Sequence, residues 1–169
     1  VRTLVDAVAA QHAAIATAAD WFAGTILAGR MVHLFGSGHS RIMVEEMWPR
    51  YGSFPGFNPI VELSLSFHNL VVGANGQRQA MFLENVSGLA ERILRNYALE
   101  PIDTALVISS SGCNVVPIEM AEQFQRRGVR VDALLPGVRA GLRGVGRRLA
   151  RDEEVVRVLR RLGDELGQV

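Results

Sequence analysis

The sequence predicts an α/β fold: a parallel sheet with helices on both faces. Three observations predict it. Two short apolar segments, Met31 to Phe35 and Thr104 to Ile108, each end in a Ser/Gly loop, and each loop opens a helical pattern. A third apolar segment, Val129 to Leu135, follows the second of those helices. Short continuous apolar runs bounded by turn residues read as strands buried on both faces. Their alternation with helices is the mark of a parallel sheet.

The elements follow in chain order. Val1 to Gly29 reads as one long helix, with Leu4, Val8, Ile15, Ala18, Phe22 and Ile26 at helical spacing on an Ala-rich face. Met31 to Phe35 is the first strand, and Arg41 to Trp48 the helix after its loop, stopped near Pro49. Pro55, Gly56 and Pro59 punctuate a turn-rich stretch, and Ile60 to Leu65 reads as a short strand. Met81 to Leu99 shows a helical pattern ended by Pro101. Thr104 to Ile108 is the second buried strand. Pro117 to Arg127 is a helix with proline in its first turn, where a missing N–H costs nothing, and Gly128 as its C-cap. Val129 to Leu135 is the third strand. From 134 to 169 the chain turns Arg-rich and is expected to be mostly helical, with Val155, Val156, Leu159 and Leu162 as an apolar stripe. Residues 1–133 are thus expected to form the folded domain and 134–169 an atypical helical tail.

Composition narrows the function. The 169 residues make one domain the default, and a domain of this size buries roughly 70% of its unfolded surface. The formal net charge is +1, with 49% hydrophobic residues, so charge names no partner. The single cysteine, Cys113, excludes an internal disulfide and fits a reducing compartment. No lysine is present, which excludes a Schiff-base lysine and a Walker-type phosphate loop. No apolar run reaches the ~20 residues that span a bilayer, and no signal-peptide pattern opens the sequence. The expectation is a cytoplasmic protein with no membrane segment. The Arg139 to Arg161 cluster is interspersed with Asp152, Glu153, Glu154 and others, which predicts a solvated helix face and no nucleic-acid partner.

The two loops carry the chemistry. In an open parallel sheet, ligands sit beyond the carboxyl ends of the strands, and both loops fall there. A phosphate dianion needs several donors and a positive local field. Serine hydroxyls supply donors, glycine lets backbone N–H groups approach closely, and a helix N-terminus adds unpaired N–H groups. The first loop offers Gly36, Ser37, Gly38 and Ser40; the second offers Ser109, Ser110, Ser111, Gly112 and Asn114. A lone Ser-Gly turn is more often only a helix cap, but two at equivalent places in one sheet predict a phosphate cradle. A dinucleotide fingerprint is excluded, because Arg41 stands where the third glycine of G-x-G-x-x-G belongs.

Gly36-Ser37-Gly38-His39-Ser40 and Ser109-Ser110-Ser111-Gly112-Cys113-Asn114 resemble the two signature loops of the sugar isomerase (SIS) domain family. The second is similar to the S-x-S-G-x-[ST] pattern, with Asn114 at the hydroxyl position. The run from His33 to Glu46, Asn58-Pro59-Ile60, His68, and Val107 to Ala121 resemble a branch of the family related to phosphoheptose isomerase. The resemblance covers roughly residues 1–133 and ends where the Arg-rich tail begins. It implies a three-layer α-β-α, flavodoxin-like doubly wound sheet of about five parallel strands. It also implies a sugar-phosphate ligand, often bound between subunits of a homodimer or homotetramer. The family includes aldose–ketose isomerases, an etherase and non-catalytic sugar-phosphate sensors, so it predicts the ligand class better than the reaction.

Isomerisation needs a base to move a proton between adjacent carbons and a donor for the oxygens. Glu45 or Glu46, on the helix after the first loop, is the expected base; the competing reading is a solvated carboxylate paired with arginine. His39, inside the first loop, and His68 are the candidate proton donors, while His12 and His33 read as structural. The four histidines lack metal-ligand spacing, so no metal and no cofactor are expected. Cys113 reads as a loop filler. The expected function is a phosphosugar isomerase, and the alternative is a non-catalytic sugar-phosphate sensor.

Overall fold

A computed structural model gives the fold and describes residues 2–66, 76–134 and 156–159. Helices α1 (Arg2–Ala9) and α2 (His12–Leu27) lead into β1 (Val32–Gly36). A short 3-10 turn at Gly38–Ser40 and α3 (Arg41–Glu46) follow, then β2 (Phe57–Ile60) and α4 (Leu63–Ser66). Next come α5 (Gly76–Leu83), α6 (Leu89–Leu94), β3 (Thr104–Ile108), α7 (Val115–Arg126), β4 (Arg130–Leu134) and β5 (Val156–Leu159). The strands form one parallel sheet in the order β2-β1-β3-β4-β5. That is the flavodoxin-like doubly wound order, which reverses direction beside β1.

Side chains alternate across the strands and fill two cores, one on each face. Val32, Leu34, Leu106 and Ile108 face one way, under Phe22 and Ile26 of α2 and Val44 of α3. Phe35, Ala105 and Val107 face the other way, under Ile93 and Leu94 of α6 and Met120 and Phe124 of α7. Full burial of side chains such as Phe35 and Phe124 contributes about 1.5–3 kcal/mol each.

Several boundaries differ from the sequence expectation. The first helix is two, broken between Ala9 and His12. The second strand falls at Phe57–Ile60, ahead of the expected Ile60 to Leu65, because its backbone follows β1 in register from Val32↔Phe57 to Phe35↔Ile60. The expected helix over 81–99 is also two helices, separated by a turn in which Gly88 takes φ 83°. The Arg-rich tail, expected to be helical, supplies β5, parallel to β4 in the register Val131↔Val156 to Leu134↔Leu159. An open strand edge is a template for backbone pairing, and that tertiary partner outweighs local helical preference. No described helix is long and apolar enough to cross a membrane.

The amino end of the sheet is held by a buried ionic network. Asp103, fully buried ahead of β3, accepts from Arg30 Nε at 2.8 Å and Nη2 at 2.9 Å, and from the Glu100 N–H at 2.8 Å. His33 Nε2 lies 3.3 Å from its Oδ2, while Asn58 Nδ2 lies 2.9 Å from His33 Nδ1. An Asn58 N–H donating to Nδ1 leaves the proton of a neutral imidazole on Nε2, facing Asp103. Burial alone would push the Asp103 carboxyl up; hydrogen bonds from Arg30, Glu100 N–H and His33 outweigh it and hold it below the ordinary carboxylate value. Burial pushes His33 below its ordinary value, offset only in part by Asp103.

Both shifts act in the same direction. A depressed pKa in the folded state means that the unfolded chain binds more protons below the unfolded value, so stability falls as pH falls. The His33 contribution is complete above about pH 6.5 and declines below it; the Asp103 contribution declines below about pH 4. Urea unfolding between pH 8 and pH 5 should show this first decline, and His33→Gln should flatten it. Asp103→Ala should cost about 1–3 kcal/mol at pH 7, because the buried His33 loses its partner while the part-exposed Arg30 can turn to water. At the opposite end of β1, a Cβ on Gly36 would lie 2.8 Å from the Ser40 carbonyl oxygen, a backbone atom that cannot step aside. Gly36→Ala should therefore cost about 1–3 kcal/mol by the same measurement.

Candidate functional site

The two loops emerge side by side because β1 and β3 pair in register from Val32↔Thr104 to Gly36↔Ile108. Beyond Gly36 the chain coils tightly through Ser37 and the turn at Gly38–Ser40 into α3, with Gly38 at φ 54°. Beyond Ile108 it passes through Ser109 to Asn114 into α7, with Gly112 at φ 63°. The bonds made inside the loops set the direction of the serine hydroxyls. Ser40 Oγ accepts from the Ser110 N–H at 2.9 Å, joining the loops. Ser109 Oγ accepts from the Gly112 N–H at 3.0 Å, and Ser111 Oγ from the Cys113 N–H at 3.4 Å. A hydroxyl that accepts an N–H still has its own O–H to donate. These serines thus present donors to an anionic ligand while their oxygens are held by the backbone.

Ser37, Gly38, His39 and Ser40 form one wall of a cleft, and Ser109, Ser110, Ser111 and Asn114 form the other. Ala80 and Met81 of α5, with Glu84 just beyond it, close the third side. The cleft-lining donors are serine hydroxyls, the Asn114 amide, the His39 imidazole and backbone groups, and no arginine lines it among the described residues. Gly36 and Gly112 sit behind the wall, one beneath the Ser40 carbonyl and the other bonded to Ser109.

The carboxylate in the cleft is not the one expected from sequence. Glu45 and Glu46 are not among the residues lining it. Glu45 Oε1 lies 3.3 Å from Arg41 Nε in an ion pair, and Glu46 is exposed and paired with Arg50. One helical turn separates each pair, which is the ordinary i,i+4 pairing on a helix flank. Glu84 stands in their place. It is buried, its carboxylate is bonded to Asn114, and its backbone carbonyl accepts the Val116 N–H at 2.9 Å. His39 is brought to the cleft, with its side chain exposed. His68 lies outside the described residues. His33 belongs to the buried network at the far end of the sheet, and Cys113 is exposed without lining the cleft.

Sequence reasoning missed Glu84 because a continuous helix over 81–99 makes it one more polar residue on a helix face. The signal was present in Asn85, Ser87 and Gly88, a cluster of turn formers that ends α5 and leaves Glu84 at its carboxyl end.

Comparison with known proteins agrees with this architecture. The chain is 29% identical over 133 residues to a UPF0309 protein of Halalkalibacterium halodurans, covering 79% of this chain and 52% of that protein. It is 34% identical over 131 residues to a UPF0309 protein of Brucella ovis, covering 78% of this chain and 50% of the relative. The chain therefore spans about half the length of the curated relatives it matches. Its fold is similar to that of phosphoheptose isomerase GmhA from Neisseria gonorrhoeae, with a TM-score of 0.60 and 16% identity over 95% of this chain and 79% of the other. A family model described as the SIS domain matches residues 1–135, most of the chain and both of its serine loops, and the protein belongs to that family.

Proposed function

We propose that the cleft binds the phosphate of a phosphorylated sugar and that Glu84 moves a proton between adjacent carbons of that sugar, as an aldose–ketose isomerase does. The observation that carries this reading is the meeting of five serines from two strand-end loops with one buried carboxylate. Ser37, Ser40, Ser109, Ser110 and Ser111 supply hydroxyl donors, and the loop glycines let backbone N–H groups approach. Membership of the SIS family supports the ligand class, and the likeness of fold to a phosphoheptose isomerase supports the reaction.

In the reaction, Glu84 takes the proton from the carbon beside the carbonyl, and an enediol forms. The same carboxyl returns the proton to the neighbouring carbon, while a hydroxyl proton passes between the two oxygens. His39, at the mouth of the cleft, is the imidazole available for that second transfer. Glu45 and Glu46 have no part in it. The reading includes a homodimer or homotetramer, supported by the exposed Val5, Val8 and Ile15 on the first two helices. It also includes a cytoplasmic location, where sugar phosphates are metabolised.

Thermal unfolding against a panel of sugar phosphates and their unphosphorylated parents tests it. A ligand at about a hundred times its Kd adds roughly 2.7 kcal/mol, and only the phosphorylated members should do so. Ser109→Ala with Ser111→Ala should abolish the effect. For a sugar phosphate that is turned over, Glu84→Gln should keep binding and lose about 10²–10⁴-fold in rate, whereas Glu45→Gln should leave the rate within about twofold. Binding without turnover by the wild-type protein would identify a sensor instead, and no stabilisation by any phosphorylated member would overturn the phosphate cradle.

A further inference from the structure

Asn114 stands at the N-cap of α7 with extended backbone angles, φ −72° and ψ 146°. An asparagine in that place ordinarily accepts a hydrogen bond from the second or third N–H of the helix. Asn114 makes no such bond. The reason lies in the next residues. The second N–H, from Val116, is already donated to the Glu84 carbonyl at 2.9 Å, and the third residue is Pro117, which has none. With no capping N–H left to accept, the Asn114 amide turns the other way, and its Nδ2 donates to Glu84 Oε2.

Glu84 is thereby held at two points by the start of α7, through its backbone carbonyl and through one carboxylate oxygen. Its other oxygen lies over the first loop. A Cβ built on Gly38 would come within 3.0 Å of Glu84 Oε1, so the bare Cα of Gly38 makes room for it. The two carboxylate oxygens therefore have separate neighbours, the second loop for Oε2 and the first loop for Oε1.

We infer that Asn114 is a positioning residue for Glu84 and not a phosphate ligand: its amide holds Oε2 and directs Oε1 into the cleft as the proton-accepting atom. The inference rests on the proposed function for the role of Glu84, and it removes Asn114 from the phosphate-binding set expected from sequence. A primary amide suits this task. It donates from an atom one bond farther from the backbone than a serine hydroxyl, and an ionised carboxylate is an acceptor only. Among the described residues, His39 is the other titratable side chain lining the cleft, and it comes from the first loop, away from the Asn114 bond.

The test uses the Asn114 side-chain amide resonances, assigned by their loss in Asn114→Ser, with inorganic phosphate as the probe. Glu84→Ala should move them. Saturating phosphate should shift the backbone N–H resonances of Ser110 and Gly112 and leave the Asn114 amide in place. An amide that follows phosphate and ignores Glu84→Ala overturns the inference. If phosphate moves no resonance, the phosphate cradle fails, and the Glu84→Ala arm alone decides the pairing: movement supports it and constancy overturns it. Should Glu84→Ala not fold, Asn114→Ala replaces it. That variant should keep the Kd for phosphate within about twofold, and a tenfold loss overturns the inference. For a sugar phosphate that is turned over, Asn114→Ala should lower kcat about 10–100-fold with KM within twofold, whereas a phosphate ligand would raise KM.

Discussion

The pairing of β1 with β3 is the constraint on which the rest of the structure depends. Because Gly36 lies opposite Ile108, the chain leaves both strands at the same level and the two serine loops begin side by side. Ser40 can then accept the Ser110 N–H, which ties the loops into one wall-to-wall unit. A slip of one residue would turn every side chain of one strand to the other face. It would exchange Phe35 with Leu34 between the two cores and separate Ser40 from its partner. The same hydrophobic alternation that fixes the register for stability therefore fixes the spacing of the donors.

The two ends of the sheet solve opposite electrostatic problems. At the amino end, Asp103 is fully buried and is surrounded by donors, including the Arg30 guanidinium. Such a network is costly to break because the buried His33 would be left without its carboxylate partner. It fixes the starts of β1 and β3 relative to α2, and so it supports the register from below. At the carboxyl end, most donors belong to neutral hydroxyls and backbone groups, and three of the serine oxygens are already held by N–H groups within the loops. They are preorganised for a ligand without the desolvation cost of a buried, unpaired cation.

Much of this was legible in the sequence because buried strands and Ser/Gly loops are local signals. Thr104 to Ile108 and the six residues after it announce a strand, a tight turn and a helix start without reference to any other part of the chain. What was not legible depended on contacts distant in sequence. Glu84 reaches the cleft only because its carbonyl docks on Val116, 32 residues farther on. β5 forms only because the edge of β4 is open to it. His33 and Asp103 sit 70 positions apart in sequence and meet only through the parallel register. Glu45 and Glu46 looked eligible because they follow the first loop closely, but α3 gives each an arginine one turn away. Proximity in sequence to a binding loop did not place either carboxylate in the cleft, whereas Glu84, far from both loops in sequence, is buried against it.

That distinction bears on how one fold carries different reactions. The serine loops come from strand ends and are set by the sheet, so in the proposed function the register places the donors that hold the phosphate handle. The carboxylate comes from Glu84, just beyond the end of α5 and outside the sheet, and its position relative to the loops rests on the Val116 and Asn114 contacts. Binding energy from the non-reacting phosphate is useful to catalysis only when it fixes the reacting carbons against a group that is itself fixed. In the proposed function the phosphate end is oriented by the sheet and the proton-transfer end by the start of α7, and both meet at the second loop. On that proposal, changing the residue at position 84 or 114 would leave the handle intact and alter what is done to the sugar, so the reaction would be set by Glu84 and the α7 cap, and the ligand class by the loops after β1 and β3.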